Sequence, residues 1–178
     1  LTDMSSLYAD TNGPGAVDAV RMAGEDYLAA GGKVRTEVVS ADHQNKPDVG
    51  SVITREWFDR DGVDAIVDVP NSAVGLAVTE LAKQKNKVFM NSGGSSSDFT
   101  GKACSANSIH WTYDTYALAT GTSRAVVAAG GDSWYLLTAD YAFGHTMEAD
   151  IRKILAETGA KVAGAARTPL NTPDFSSF

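Results

Sequence analysis

The chain has 178 residues, with 15 Lys and Arg against 22 Asp and Glu, a formal net charge of −7 and a pI near 4.8. At 43% hydrophobic and 21% charged residues it has the composition of a globular protein with a real core, which excludes disorder and coiled coil. The acidic balance opposes a polyanion, so nucleic acid is excluded as a partner, and no apolar run approaches the roughly 20 residues that span a bilayer, so direct membrane insertion is excluded too.

In chain order, Leu1-Thr2-Asp3 reads as the end of a first strand, without the basic and apolar regions of an export signal. Val17, Val20, Ala23 and Tyr27 then share a helical face, and residues 34–39 read as a strand. Val49, Val52, Ile53 and Trp57 mark a second helix, residues 63–69 a strand, Val74, Ala77, Val78 and Leu81 a third helix, and residues 88–90 a strand. The regular period breaks here, with a Gly/Ser-rich loop at 91–97, an irregular stretch and a helix over about 114–129. It resumes with a strand at 134–137, a helix carrying Met147, Ile151, Ile154 and Leu155, and a strand at 160–163, and residues 174–178 read as a helix start.

Alternating strands and amphipathic helices predict right-handed βαβ units, hence an α/β fold of doubly wound parallel sheets covered on both faces. The break places a lobe boundary near Trp111 to Thr115, giving a first lobe at 1–113 and the start of a second at 114–178. Both lobes read as incomplete, because the second owns too few strands to cover their faces, and the chain reads as a fragment of something about twice as long.

In open α/β sheets ligands bind outside the carboxyl ends of the strands, and polar residues gather in those loops here. Asn71 and Ser72 follow a strand and open a helix, so the Ser72 hydroxyl and the first amides can either cap the helix or hold an anionic oxygen. In the loop after residue 90, Gly93 and Gly94 permit close backbone approach while Ser92 and Ser95 offer hydroxyls, which suits a linker or a ligand cradle. Tyr8, Tyr141 and Phe143 at strand ends are read as walls of a pocket for an apolar ligand body, and Trp111 and Tyr113 as packed residues.

Enzyme signatures are sparse. Gly13-Pro14-Gly15 opens like a dinucleotide fingerprint, but Asp18 replaces its third glycine and would oppose a pyrophosphate. No Walker A or G-x-S-x-G pattern occurs, and His43, His110 and His145 lack metal-ligand spacing, so neither metal nor cofactor is expected. The single cysteine, Cys104, is expected as a half-buried loop residue rather than a reactive thiol.

Gly15, Ala23, Glu25-Asp26 and Ala29-Ala30-Gly31-Gly32, with Asp42 before Pro47, Asn91-Ser92-Gly93-Gly94-Ser95 and Asp140-Tyr141-Ala142-Phe143-Gly144, form a combination that resembles the type I periplasmic binding proteins of branched-chain amino acid ABC transporters. The likeness runs through the whole chain. It implies a two-lobed Venus-flytrap receptor in the periplasm, not an enzyme, that captures an amino acid or aromatic acid in an interlobe cleft and delivers it to a membrane ABC permease. It also implies that Ser72 and Ser95 hold the ligand carboxylate, that Gly93 adds backbone, and that Tyr8 lines the side-chain pocket. Phe143 stands where such relatives have a tyrosine, which leans the ligand toward aromatic or other amphipathic acids. The alternative is a nucleotide-dependent enzyme on a Rossmann-like sheet. A sugar-type regulator would need a DNA-binding headpiece, for which no helical segment is seen.

Overall fold

The computed structural model describes residues 1–178, which form two compact units. The first comprises residues 1–94 and 103–111, and the second comprises residues 95–102 and 112–178. The chain therefore passes between units at Gly94/Ser95, Lys102/Ala103 and Trp111/Thr112, where the sequence had suggested one passage near residue 113.

In the first unit, α1 spans Gly13–Ala29, α2 Pro47–Asp59, β1 Ala65–Val67, α3 Ser72–Lys85, β2 Val88–Asn91 and β3 Ser108–His110. The strands form a parallel sheet in the order β1-β2-β3, with Ile66 opposite Phe89 and Asn91 opposite His110. Ile66 and Phe89 are buried with Val74, Val78 and Leu81 of α3, so the apolar period of the helix meets one face of the sheet. Helix α3 starts on Asn71, whose Oδ1 accepts from Ala73 N–H and Val74 N–H, and ends on Asn86 in the left-handed region. Proline at the start of α2 supplies the fixed φ that opens it, and Gly50 lets α2 approach α3, since a Cβ there would lie 2.5 Å from Val74 Cγ1.

Residues 34–39 do not form the expected strand: they join no ladder, and Val34 and Val39 are exposed. Only Thr2 and Asp42 form a bridge, in parallel sense, with Thr2 N–H donating to the Ala41 carbonyl and His43 N–H to the Thr2 carbonyl.

On its other side the Leu1 carbonyl accepts from Val69 N–H at 3.1 Å. Residues 1–2 thus lie between residues 41–43 and the end of β1. The connection through α1 leads to one side of that first segment and the connection through α2 to the other, which makes its carboxyl end a topological switch point.

In the second unit, α4 spans Thr115–Ala128, β4 Ser133–Ala139, α5 Ala142–Thr158 and β5 Lys161–Thr168, after a single 3-10 turn at Ser97–Phe99. β4 and β5 pair in parallel from Ser133 opposite Lys161 to Ala139 opposite Thr168. Phe99, Ala119, Leu136, Ile154 and Leu155 are buried, while Tyr135 and Leu137 on the alternate positions of β4 are exposed. Residues 174–178 carry a turn, with Ser176 N–H bonded to Asp174 Oδ1, and no helix.

Candidate ligand site

The first unit concentrates its polar side chains at the switch point. Asp3, fully buried, closes the loop that follows it: its carboxylate accepts from the N–H groups of Ser5, Ser6 and Tyr8, from the Ser6 hydroxyl, and from Asn45 Nδ2 at 2.7 Å. Burial raises its pKa, but the Tyr8 N–H, the Ser6 hydroxyl and the Ser5 and Ser6 N–H groups outweigh it and leave the carboxyl below the ordinary aspartate value. Asp42 behaves alike, held by Ser5, Met4 and Gln44. These bonds fix the loop that carries half-buried Tyr8.

After β1 the backbone turns sharply, with Asp68 at φ +81° and the β-branched, fully buried Val69 at φ +64°. Such conformations are strained for these residues, and they occur here where the chain swings from β1 into the Ser72 helix start. Ser72 is buried at the first position of α3. The Oδ1 of Asn71 is committed to capping, and Ser72 stands at the helix start, a position that suits an anionic oxygen.

The Gly/Ser loop is a tight turn folded around buried Asn91. Asn91 Oδ1 accepts from Gly93 N–H and Gly94 N–H, Asn91 Nδ2 donates to the Gly94 carbonyl, and that carbonyl also lies 2.8 Å from His110 Nε2. Ser92 is exposed and Gly93 half-buried. Tyr8, Asn71, Ser72, Ser92 and Gly93 therefore share the carboxyl end of one sheet.

Ser95, Tyr141 and Phe143 belong to the second unit. The Ser95 carbonyl accepts from Thr115 N–H, and the segment after it is pinned by Thr115 Oγ1 and Ser97 Oγ, which both donate to Asp150 Oδ2, at 2.6 and 3.0 Å. The rings of Tyr141 and Phe143 are tilted, 5.9 Å apart, and both face a cavity of about 440 Å³ along β4 that is also walled by Trp134, Tyr135, Met147 and Glu148. Because consecutive β4 residues line it, this space follows the edge of the strand that β5 leaves unpaired.

Two expectations are corrected. Trp111 and Tyr113 are exposed, at 78% and 63%, rather than packed, because the chain changes unit between them. Cys104 is exposed rather than half-buried. His43 is fully buried with only one nitrogen satisfied: Nδ1 accepts from Asn45 N–H, while Nε2 has no partner. Asn12 and Asp68 carry no signal in the sequence, because Asp68 falls inside the strand expected at 63–69 and only the end of β1 at Val67 places it in a loop. No group of three His, Cys, Asp or Glu is placed to hold a metal ion, and no helix is long and apolar enough to cross a membrane.

A parallel α/β sheet with its topological switch point at the strand carboxyl ends places the chain in the doubly wound α/β class. The chain belongs to the periplasmic binding protein family, whose model matches residues 1–178. It is similar to a periplasmic binding protein from Burkholderia mallei, at 46% identity and a TM-score of 0.92 over 99% of this chain and 47% of that one. It is also similar to a branched-chain amino acid ABC transporter periplasmic ligand-binding protein from Burkholderia xenovorans, at 42% identity and a TM-score of 0.78, over 99% and 47% of the two chains. An ABC transporter solute-binding protein from R. palustris in complex with benzoate shares the fold, with 18% identity and a TM-score of 0.84 over 99% and 49% of the two chains. This chain thus spans about half the length of these relatives. Among curated proteins none matches.

Proposed function

We propose that the chain is the ligand-facing part of an extracytoplasmic solute-binding protein that captures a small carboxylate, an amino acid or an aromatic acid, for a membrane ABC permease. The observation that carries this reading is Ser72, buried at the first turn of α3 beside the switch point, where a hydroxyl and helix-starting amides suit a carboxylate oxygen. Gly93 brings a second backbone segment to the same sheet end, and Tyr8 gives it an aromatic wall. Ser95 is carried in the proposal as a further hydroxyl donor. Family membership and the transporter proteins named among its relatives support the periplasmic location and the permease partner.

Within the carboxylates, Tyr141 and Phe143 favour an aromatic or amphipathic acid over a leucine-like one, in keeping with the benzoate held by the R. palustris protein. Titration calorimetry of the complete protein with benzoate, 4-hydroxybenzoate, L-leucine and L-valine tests both levels. Ser72→Ala and Ser95→Ala are each expected to weaken binding of the preferred acid by about 1 to 3 kcal/mol, because each leaves a carboxylate oxygen short of a donor. Unchanged affinity in both variants removes the site assignment, and tight binding of leucine with no binding of benzoate removes the aromatic preference.

A further inference from the structure

Three loops from three strand ends meet at one hydrogen bond. Asn12, just ahead of α1, donates from Nδ2 to Asp68 Oδ1 at 2.7 Å, across 56 residues of sequence. Gly93 lies directly against this pair: a Cβ there would stand 2.8 Å from Asp68 Oδ1, 2.8 Å from Pro70 Cα and 3.0 Å from Asn12 Nδ2. No side chain fits without moving the pair or the backbone. Asp68 is 3% exposed, so its carboxylate sits below the surface a ligand would meet, and its Oδ2 is buried without a hydrogen-bond partner. A carboxylate left so poorly satisfied lowers stability, which calls for a compensating role. The backbone on either side is held as well, by Asp68 N–H on the Met90 carbonyl and Val69 N–H on the Leu1 carbonyl, while both residues keep positive φ. The strained turn is thus fixed from β2, from the first segment and from the α1 loop together.

We infer that Asn12 and Asp68 are positioning residues, whose hydrogen bond beneath Gly93 holds the Tyr8 loop, the Ser72 helix start and the Gly93 turn in the geometry that binds the ligand. This rests on the proposed carboxylate site. Neither residue is assigned a ligand contact. Asn12 ties down the loop that carries Tyr8, and Asp68 sets the exit from β1 four residues before Ser72. Gly93 closes over both.

The test is a swap of the pair in the complete protein, read by calorimetry with benzoate and with L-leucine and by thermal melting. Asn12→Asp sets two carboxylates against each other and is expected to weaken binding about 10-fold, and Asn12→Leu, which removes the donor without adding charge, is expected to do the same. Asn12→Asp combined with Asp68→Asn restores one donor, one acceptor and the original net charge, and is expected to return affinity to within about 3-fold of the starting protein. A structural role alone would lower the melting temperature of the single variants without that recovery of affinity. Single variants that bind within twofold of the starting protein, or a double variant that fails to regain binding, overturn the inference. If the unaltered protein binds neither probe, the carboxylate reading fails instead; if Ser72→Ala weakens binding while the Asn12 variants do not, only the positioning role fails.

Discussion

The two units bury ionisable groups by opposite means. At the switch point of the first unit, Asp3 is satisfied entirely by neutral N–H and O–H donors, and His43 beside it is buried with an unpartnered Nε2. In the second unit, the buried Glu148 is met by two guanidinium groups, Arg152 of its own helix at 2.8 Å and Arg167 at 3.4 Å, the latter joining α5 to β5. Neutral donors shape a loop without adding counter-charge near the candidate ligand site. Arg167 ties β5 to α5 through Glu148. The difference teaches that the first unit fixes loop geometry at its strand ends with neutral donors, whereas the second joins a helix to a strand through charge.

The sharpest way to break this contrast is through the close-approach glycine of each unit. Gly144, in the first turn of α5, would place a Cβ 1.9 Å from the Ala139 carbonyl oxygen and 2.9 Å from its carbon, a clash with backbone that no rotamer relieves. Gly144→Ala is expected to destabilise the second unit by about 3 kcal/mol, at the upper end of overpacking effects. Native-state hydrogen exchange should show protection lost in α5 and β4 and retained in α3. Gly93→Ala meets Asp68, Asn12 and Pro70 instead, and should cost ligand affinity more than stability. If the two substitutions lowered stability equally and Gly93→Ala left binding intact, the division of labour between units would be wrong.

Acid offers a second, smaller effect, with a different onset in each unit. Burial pushes the His43 pKa down, and the nearby carboxylates of Asp3, Asp42 and Asp68 only partly oppose it. The folded first unit therefore holds fewer protons than the unfolded chain, so the stability is fully present above the unfolded histidine value and is lost as pH falls below it toward the folded one. The slope for one proton is at most about 1.4 kcal/mol per pH unit. For Glu148, burial raises the pKa but Arg152, Thr138 and Arg167 bring it below the ordinary glutamate value. Its contribution is present above the unfolded glutamate pKa and is lost only as pH falls through the lower, folded one. Urea unfolding followed segment by segment should thus find α3 losing protection as pH falls below about 6.5, before α5 does. Simultaneous loss in both units, or no change from His43→Gln, would contradict this ordering.

How far the sequence disclosed these features depended on where each received its energy. Helix α3 was legible because Asn71 caps it locally and Val74, Val78 and Leu81 repeat at helical spacing. The switch-point loops were legible as polar strand ends. Strand β3 was not: Ser108-Ile109-His110 has one strand-forming residue, and it is extended because β2 supplies the ladder. Residues 34–39 failed in the opposite sense, with high propensity and no partner. Glu148 sits beside the apolar stripe of α5 with nothing local to mark it as buried, since the Arg167 guanidinium that it meets lies 19 residues away on β5. The Asn12–Asp68 bond was invisible for the same reason, being a contact that only the folded sheet creates.

The smallest expected effect probes the cohesion side of the contrast at the surface of the second unit. Arg124 of α4 reaches Glu157 of α5 at 2.9 Å, but the two side chains keep 53% and 44% of their exposure, so solvent and salt screen the attraction and ordering two long chains offsets much of it. Lys153, 5.9 Å from the Tyr116 ring centroid, is a second exposed link between the same helices. Arg124→Ala should therefore cost less than about 0.5 kcal/mol in urea unfolding and no more in low salt than in 0.5 M salt beyond a few tenths. The reason is that α4 and α5 are held by what they bury, including Ala119 and Ser123 on one and Ile154 and Leu155 on the other, and that contribution is indifferent to ionic strength. A loss above 1 kcal/mol that disappears in salt would mean that charge, and not the apolar seam, clasps these helices, and the buried arginine pairing of Glu148 would then be one part of a larger ionic network rather than the device that distinguishes this unit.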